Sequence, residues 1–472
     1  MLLNRFLLAA LLAFALGNVH AQNVKRPESD SASATAPTAL PEPSTSARDL
    51  FSRYKDRLLQ VRVLLNSANE QSALGSGFVV RDESAKGSGA GGSGGSGGAG
   101  GSGATWVLTN YHVISSLAID PDKYRIELRG TNGRTAKAQL MALDVIHDLA
   151  LLRVEADPGA AWPNVFSLRD APLAQGSKIF SLGNPLELGF LISEGIYNGL
   201  VESRVYDEML FSGALNSGMS GGPAIDEQGQ VVGVNVAARR DGEQLSFLVP
   251  VRYARELLAR SGNTPVGTDW RKTIAQQLLT HQDFLATKLF GAAATAVPAS
   301  DAKLGFSSQS LAGRTVPTLD GGLTKCWANG LEGERQRYQR DSLDCSLRTS
   351  LFIRGNVQTG TVSLRHTVLR NEKLSTAQFL ALENYRPGSY ARTGGDLTPA
   401  ECHSNYLQPA THVYRVAVCL RAYRKFENVY DFTVSATQID DARQRQTSYF
   451  TLKGFSFDNG QRLTRLFLER LQ

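Results

Sequence analysis

The clearest chemical signal in the sequence is a serine flanked by glycines. Ser220 lies in the segment NSGMSGGP at 216–223. Glycine on both sides permits a tight turn that aims the backbone N–H groups of Gly218 and Ser220 at one point. Two convergent donors can stabilise the oxyanion that forms during acyl transfer. Because such a segment can also be an ordinary turn, a nucleophile is predicted only if the sequence supplies a base and an acid.

Two histidines, His112 and His147, are the candidate bases between residues 49 and 260. His112 lies in WVLTNYHVI at 106–114, where an apolar stretch runs out into polar residues. Asp148 opens another apolar stretch, and an unpaired carboxylate there is costly to bury. We therefore expect the His112 ring to be its partner, in the arrangement of a catalytic triad. His147 is interpreted as a surface or supporting residue.

These side chains must be positioned by short strands, because β-rich runs follow one another closely with hardly any helix. The predicted strands are Leu58–Leu65, Gly77–Arg81, Trp106–Thr109, Tyr124–Leu128, Leu149–Val154, Lys178–Leu182, Val231–Val236 and Leu245–Val249. This pattern indicates a β-sandwich or a pair of barrels. A short helix at 253–258 precedes the end of the region near Arg260.

Taken together, TNYHV, DLALL and GMSGGP, in the order His, Asp, Ser, resemble the trypsin-like serine endopeptidases of the chymotrypsin fold. Within these, the nearest likeness is to the protease domain of the HtrA/Deg type. The other similar segments are GSGFV, LGNP, SEGI, VGVN and SFLVP. The resemblance covers residues 50–258 and implies a double β-barrel with the site in the cleft between two perpendicular six-stranded barrels.

The resemblance also implies a role for each residue. Ser220 is the nucleophile, His112 is the general base and then the acid, and Asp148 fixes the tautomer of the histidine. The N–H groups of Gly218 and Ser220 form the oxyanion hole. The implied reaction is hydrolysis of peptide bonds in protein or peptide substrates through an acyl-enzyme.

Substrate contacts follow from the same resemblance. Ala214 stands where trypsin-type enzymes place a carboxylate, so a small or medium aliphatic side chain is expected before the scissile bond. The strand that includes Gly233, Val234 and Asn235 and ends at Val236 is expected to pair with the substrate backbone. PDZ domains usually follow in HtrA-type proteins, but their pattern is not recognisable downstream.

The N-terminal residues predict export. Arg5 precedes an apolar run from Phe6 to Leu16, and VHA ends at Ala21, which is typical of a signal peptide at 1–21. The run is shorter than the ~20 residues that span a bilayer, so no transmembrane span is expected in the mature chain. A Pro-, Ser- and Thr-rich segment at 22–48 is predicted to be a disordered tether. The expected location is the bacterial periplasm or the exterior.

Residues 87–104 contain 11 glycines among 18 positions, and the others are Ser or Ala. Such a segment buries too little to offset its ordering entropy, which predicts a solvated loop inside the domain at 49–260. A phosphate-binding loop is disfavoured because no Gly-Lys-Ser/Thr follows. Its closeness to His112 in the sequence suggests the hypothesis that it gates the site.

The remainder of the 472 residues predicts a helical connector at 261–314 and a second α+β domain, rich in antiparallel strands, at 315–472. The connector contains a helix at 269–290 with Asp269 as its N-cap. Asp458 is expected to cap the last helix. Strands are predicted at Ser350–Ile353, Thr361–Leu369, Val413–Ala422, Tyr430–Ala436 and Ser448–Phe455.

All four cysteines lie in this second domain, and none forms a C-x-x-C pair. Two disulfides are expected in an oxidising compartment. Three pairings exist, and loop closure favours Cys326 with Cys345 and Cys402 with Cys419. The scattered histidines predict no metal site, and no cofactor motif is present.

Charge divides unevenly along the chain. Residues 49–260 carry 20 Lys and Arg against 23 Asp and Glu, whereas 261–472 carry 26 against 18. A basic domain outside the cytoplasm could meet an anionic envelope component or an acidic protein, and the alternative is a merely solvated surface. Nucleic acid is disfavoured as a partner because no nucleic-acid recognition motif is present.

The sequence as a whole predicts an active serine endopeptidase. The alternative is a silent or latent protease fold whose C-terminal domain recruits a partner.

Overall fold

The fold is described from a computed structural model. The structure describes residues 45–81, 105–155, 162, 164–202, 204–238, 245–261, 265, 267–291, 306–319, 322–331, 337–355, 357–382 and 395–472. The predicted signal peptide, the tether up to residue 44 and the Gly-rich segment at 87–104 lie outside these ranges. No helix in the described ranges is long and apolar enough to cross a membrane.

Six antiparallel strands close into a first barrel in the order β1-β2-β3-β6-β5-β4. Its strands are β1 (Leu58–Leu65), β2 (Glu70–Val80), β3 (Trp106–Thr109), β4 (Tyr124–Gly130), β5 (Thr135–Asp144) and β6 (Leu149–Val154). The barrel closes where β1 pairs with β4. Buried residues occupy nearly every position of β1, β3 and β6, since both faces of these strands are covered.

A second six-stranded barrel follows, in the order β10-β11-β12-β9-β8-β7. Its strands are β7 (Lys178–Gly183), β8 (Leu191–Leu200), β9 (Met209–Phe211), β10 (Pro223–Ile225), β11 (Val231–Ala238) and β12 (Ser246–Pro250). A short 3-10 turn, Pro185–Glu187, follows β7. The predicted double barrel is confirmed.

Helices flank the barrels. The first, α1 (Thr45–Tyr54), leads through a 3-10 turn at Lys55–Arg57 into β1. Residues 45–48 were expected to belong to the disordered tether and are helical instead, because Leu50 and Tyr54 are buried and anchor this helix. A second helix, α2 (Tyr111–Ile119), follows β3, where sequence reasoning expected only a polar turn.

Two further helices lead out of the barrels. The helix α3 (Val251–Arg260) follows β12, and α4 (Trp270–Phe290) begins after Asp269, whose side chain accepts from the N–H of Arg271. On α4, His281 is fully buried and meets the hydroxyl of Tyr206 at 2.7 Å and the carbonyl of Gly360 at 2.9 Å. Burial lowers the pKa of His281 to about 4. A neutral imidazole thus joins the second barrel, α4 and the C-terminal region.

The C-terminal region is built on a seven-stranded antiparallel sheet in the order β15-β16-β19-β23-β22-β21-β20, with two hairpins, β13–β14 and β17–β18. Its strands are β13 (Ser307–Leu311), β14 (Arg314–Thr318), β15 (Thr324–Leu331), β16 (Tyr338–Leu347), β17 (Leu351–Arg354), β18 (Val357–Thr359), β19 (Thr361–Asn371), β20 (Glu401–Leu407), β21 (Tyr414–Ala422), β22 (Tyr430–Gln438) and β23 (Gln444–Phe455). Its helices are α5 (Thr376–Ala381) and α6 (Phe457–Leu468).

Two boundaries in this region differ from the prediction. The strand β13 lies inside the segment assigned to the connector and pairs with β14 across the predicted boundary at 314. Asp458 was expected to cap the last helix, but Ser456 does so by accepting from the N–H of Asn459 at 3.3 Å, which leaves Asp458 in the first turn. Serine is among the preferred N-cap residues for this reason.

Disulfides link Cys326 to Cys345 and Cys402 to Cys419. Each joins directly opposed residues of neighbouring strands, the first on β15 and β16, the second on β20 and β21. Since β15 and β20 are the two edges of the seven-stranded sheet, each edge strand is covalently tied to its neighbour.

The apolar core of the first barrel continues into the C-terminal region. One cluster of buried residues contains Leu59, Val61 and Ile114 together with Leu351, Ile353 and Phe426. Ile274 and Leu278 of α4 belong to the same cluster. The C-terminal region therefore helps to build the core beneath α2.

Candidate active site

The helix α2 brings His112 to Asp148. The backbone N–H of His112 donates to Oδ1 of Asp148 at 2.8 Å, and Nδ1 lies 2.6 Å from Oδ2. A carboxylate only accepts, so the Nδ1 proton faces Asp148. This tautomer leaves the Nε2 lone pair of His112 as the basic group.

Asp148 is held in an unusual backbone conformation, with φ of +55°. Its carbonyl accepts from the side-chain amide of Asn110 at 2.7 Å and from the N–H of Tyr111 at 3.2 Å. A left-handed conformation of a non-glycine residue costs of order 1–3 kcal/mol, and these two bonds offset part of that cost. Asn110 is fully buried and so ties the start of α2 to the turn that carries the acid.

The electrostatics of His112 are set by two opposing effects. Burial disfavours the imidazolium, but the charge of Asp148 and its hydrogen bond outweigh burial, so the pKa of His112 is raised above the ordinary value of 6.5. The side chain of His112 is 27% exposed and that of Asp148 is 20% exposed. The His112 ring is thus accessible, and its charged form is stabilised.

Ser220 lies in the turn that precedes β10, on the second barrel. Ser76 of the first barrel fixes this turn twice: its hydroxyl donates to the carbonyl of Gly218 at 2.7 Å, and its N–H donates to the carbonyl of Ser220 at 2.8 Å. Among the residues that the structure defines, none accepts from the N–H of Gly218 or of Ser220. Both donors remain available for an oxyanion.

The two glycines after Ser220 are required because neighbouring backbone and side-chain atoms leave no room for a Cβ. Gly221 has φ of +85°, and a Cβ there would lie 2.3 Å from both the carbonyl of Ser76 and the hydroxyl of Thr109. A Cβ on Gly222 would lie 2.1 Å from the carbonyl of Leu182. A larger residue at Gly221 would push the serine turn away from the first barrel, and one at Gly222 would clash with β7 of the second barrel.

Asn235 supports the serine turn from β11. It is fully buried, and its Nδ2 donates to the carbonyls of Leu182 at 2.9 Å and Met219 at 3.3 Å. Its Oδ1 accepts from the hydroxyl of Ser181 at 2.7 Å. The side chain is therefore fully engaged inside the protein.

The register of β11 limits where a substrate strand could add. Gly233 and Val234 pair with Ala224 and Pro223 on one side, and with β12 on the other. Because both edges of this segment are occupied, a free edge on the β10 side begins only at Val236. The placement of a substrate strand on Gly233, Val234 and Asn235 does not fit this register.

The structure does not connect Ser220 to His112. The hydroxyl of Ser220 donates instead to the carbonyl of Val236 at 2.6 Å. Ala214, at the expected floor of the specificity pocket, is exposed. His147 contacts Asp144 at 3.0 Å and stacks on Tyr253 with ring centroids 3.6 Å apart, so it does not take part in the site.

Sequence reasoning missed the residues that hold the site together, Ser76, Thr109 and Asn110. All three are fully buried, and they lie in the segments GSGFV and TNYHV, whose resemblance implies no role for these side chains. Ser76 and Thr109 lie in β2 and β3, and Asn110 follows β3 directly; polar residues next to these apolar stretches are the signal that identifies them. In the described part of the chain, no three His, Cys, Asp or Glu residues form a group suited to a metal ion.

Comparison with known families agrees with this geometry. Residues 75–234, which include His112, Asp148 and Ser220, match the model of the trypsin-like peptidase domain. The chain carries a trypsin-like peptidase domain. It is similar to HtrA-type proteins, including the putative serine protease HhoA of Synechocystis, with 30% identity over 171 residues, 34% of this chain and 41% of that protein.

A second relative is the serine endoprotease DegS of Haemophilus influenzae, 30% identical over 33% of this chain and 46% of that protein. A crystal structure of the serine endoprotease from Yersinia pestis aligns over 47% of this chain and 70% of its own, with 25% identity and a TM-score of 0.35. The chain thus spans less than half the length of these two curated relatives, and the matched part is the peptidase domain.

Proposed function

We propose that the protein is an exported serine endopeptidase that uses Ser220, His112 and Asp148. The observation that carries this proposal is the 2.6 Å contact between Nδ1 of His112 and Asp148, which leaves Nε2 to act as the base. The relatives named as serine proteases support the same activity.

The proposed reaction follows from these groups. Oγ of Ser220 attacks the substrate carbonyl while Nε2 of His112 takes its proton, and the N–H groups of Gly218 and Ser220 receive the oxyanion. His112 then gives the proton to the leaving amine as the C–N bond breaks. Water, deprotonated by the same nitrogen, releases the acyl group and restores Ser220.

The contact between Ser220 and Val236 suggests how substrate starts the reaction. We place the pairing of the substrate backbone at Val236, where the edge of β11 becomes free, rather than at Gly233 to Asn235. A substrate N–H that binds the carbonyl of Val236 displaces the hydroxyl of Ser220, which then turns to His112. Substrate binding therefore favours the rotamer in which the Ser220 hydroxyl faces His112.

Two finer features belong to this proposal. Ala214 offers no charge to a substrate side chain, which favours small or medium aliphatic residues before the scissile bond. Export is supported by the N-terminal residue pattern, by the two disulfides and by a relative named a probable periplasmic serine endoprotease, from Brucella suis.

A latent enzyme is the second candidate, and the hydrogen bond from Ser220 to Val236 is the observation that favours it. In a latent enzyme this bond would persist with substrate present until a partner binds the C-terminal region. An anionic envelope component or an acidic protein stays a prediction for that partner, based on the charge of residues 261–472.

The test is cleavage of an unfolded protein, such as casein, and of a mixed peptide library by the purified mature protein. The proposal expects cleavage after small or medium aliphatic residues, and none by the Ser220→Ala variant. A matched control is Ser217→Ala, whose side chain is exposed in the same turn. Equal cleavage by wild type and Ser220→Ala, or none by either, would contradict the proposal.

A further inference from the structure

We propose that strand β17 of the C-terminal region positions the catalytic histidine, with Phe352 as the positioning residue that contacts the His112 ring. This inference rests on the proposed function, and it gives the C-terminal region a part in the reaction itself. It is carried by three consecutive residues of β17, each of which contacts α2 or the residue that ends it.

The first contact is aromatic. The ring of Phe352 lies edge-on to the ring of His112, with centroids 5.8 Å apart and an interplanar angle of 71°. The same ring lies 6.4 Å from that of Tyr111, also edge-on. Edge-to-face pairs at this distance are attractive and directional, so Phe352 restricts the tilt of the imidazole.

The second contact is a buried hydrogen bond. The hydroxyl of Tyr111 donates to the carbonyl of Ile353 at 3.0 Å, and Tyr111 is fully buried. The pairing of β17 with β18 is interrupted between Phe352 and Arg354. This irregularity leaves Ile353 outside the ladder and presents its carbonyl to the residue directly before His112.

The third contact is ionic and lies at the other end of α2. Asp120 ends the helix and accepts from Arg354 at 2.7 Å and from Lys425 at 2.6 Å. Arg354 also donates to Asp396. Asp120 is only 14% exposed at its side chain, so these bonds are shielded from water. β17 therefore holds α2 at both of its ends.

The position of the base matters because proton transfer requires a heavy-atom separation within hydrogen-bond reach. A misplacement of about 1 Å can lower a rate by about 100-fold. α2 is only nine residues long and carries His112 in its first turn, next to the contacts with Phe352 and Ile353. Loosening β17 would move the base directly.

The experiment uses the full mature chain with Phe352→Ala, the conservative Phe352→Leu, and Phe457→Ala as the control. Phe457 is an aromatic residue on α6, 43% exposed. We expect Phe352→Ala to lower kcat by about 10- to 100-fold with little change in KM, equally for two peptides that differ beside the scissile bond. Phe352→Leu should recover part of the loss, and Phe457→Ala should match wild type.

A second measurement does not depend on turnover. NMR titration of His112, assigned with His112→Gln, should show its pKa raised further in Phe352→Ala, because loss of the ring admits water and relieves the burial that opposes protonation. Two charged groups lie nearby: Asp148, which contacts the ring of His112, and Arg354, whose charge opposes the rise that burial causes in the pKa of the neighbouring Tyr111. Neither is altered by the substitution.

Three results would overturn the inference: a rise in kcat, which would mean that Phe352 restrains the enzyme; a loss confined to one peptide, which would mean that it contacts substrate; or unchanged kinetics together with an unchanged His112 titration. If wild type cleaves nothing, the proposed function fails, while the titration still decides whether Phe352 sets the surroundings of His112.

Discussion

At the scale of single residues, the site depends on uncharged polar side chains that hold the backbone of the surrounding turns in place. Ser76, Asn110 and Asn235 contribute no reacting atom, yet together they hold the carbonyls of Gly218, Asp148 and Met219. A buried side chain that satisfies a backbone carbonyl leaves an orphaned acceptor when it is removed, which costs about 1–3 kcal/mol. The same removal releases the turns that carry Ser220 and Asp148.

Ser76→Ala tests this point. The hydroxyl of Ser76 also accepts from the N–H of Asn184 at 2.9 Å, so its loss orphans two buried partners. We expect the free energy of unfolding to fall by about 1–3 kcal/mol and kcat to fall more than KM changes. Chemical denaturation and peptide kinetics measure these effects. Wild-type kcat in a destabilised variant would show that the oxyanion hole forms without Ser76.

The pH dependence of activity reports on His112. Only the neutral imidazole is a base, so kcat/KM should be lost as pH falls through the pKa of His112. Asp148 raises that pKa, so the midpoint should lie above 6.5. Asp148→Asn should lower the pKa, moving the midpoint to lower pH, and reduce kcat by about 10⁴-fold because the tautomer is no longer fixed. If the pH midpoint of kcat/KM were the same in Asp148→Asn as in wild type, Asp148 would have no part in setting the pKa of His112.

At the scale of elements, the sequence predicts best where strands are apolar on both faces. The bounds of β1, β3 and β6 match the predicted ones, because their residues are almost all buried. In contrast, every residue of β20 is exposed, so its sequence shows no alternation of buried and exposed positions. The position of this strand is set by its pairing with β21 and by the disulfide between Cys402 and Cys419. The sequence does not predict α2 because six of its nine residues are buried, so no polar face marks a helical period.

The contact between Ser76 and the serine turn could not be predicted from the sequence, for a different reason. Its partner Gly218 is 142 residues away along the chain, and no local pattern links the two. The candidate triad, of which the structure joins only His112 to Asp148, could be predicted because its residues stand in recognisable segments. The contact between Ser220 and Val236 could not, since it depends on a rotation of one hydroxyl.

The disulfides give a prediction for the edge strands. The linked residues are separated by 19 positions in one disulfide and 17 in the other, and closing loops of this size stabilises by about 3 kcal/mol. Replacing both Cys402 and Cys419 with Ser should therefore lower the free energy of unfolding by about that amount and leave β20 open to exchange. Hydrogen exchange at β20 measures this, with reduced wild type for comparison. Unchanged protection would mean that strand pairing alone secures the edge.

At the scale of the whole molecule, ion pairs and a shared apolar core join the peptidase half of the chain to the C-terminal half. The peptidase half is slightly acidic and the C-terminal half is basic, and Asp120 of the first meets Arg354 and Lys425 of the second. Part of the positive charge of the C-terminal half is thus neutralised by an ion pair within the chain. The buried cluster beneath α2 draws residues from both halves, which makes the C-terminal region part of the folding unit.

Truncation after Arg260 tests this dependence. It removes Ile274, Leu278, Leu351 and Ile353 from the cluster that also contains Ile114 of α2. Exposing that surface should lower the thermal midpoint and increase binding of a hydrophobic dye. The full chain under the same conditions is the reference. A truncated protein that is equally stable and more active would instead support a latent enzyme held inactive by its C-terminal region.

The most direct test of the central claim is labelling of the intact mature protein with a fluorophosphonate, read by peptide mass spectrometry. An activated serine reacts because His112 takes its proton and the oxyanion hole receives the charged oxygen. We predict one label, on Ser220, which is lost in Ser220→Ala and slowed strongly in His112→Gln. Absence of label on Ser220 in a folded wild-type protein, or equal labelling of the His112→Gln variant, would contradict the account.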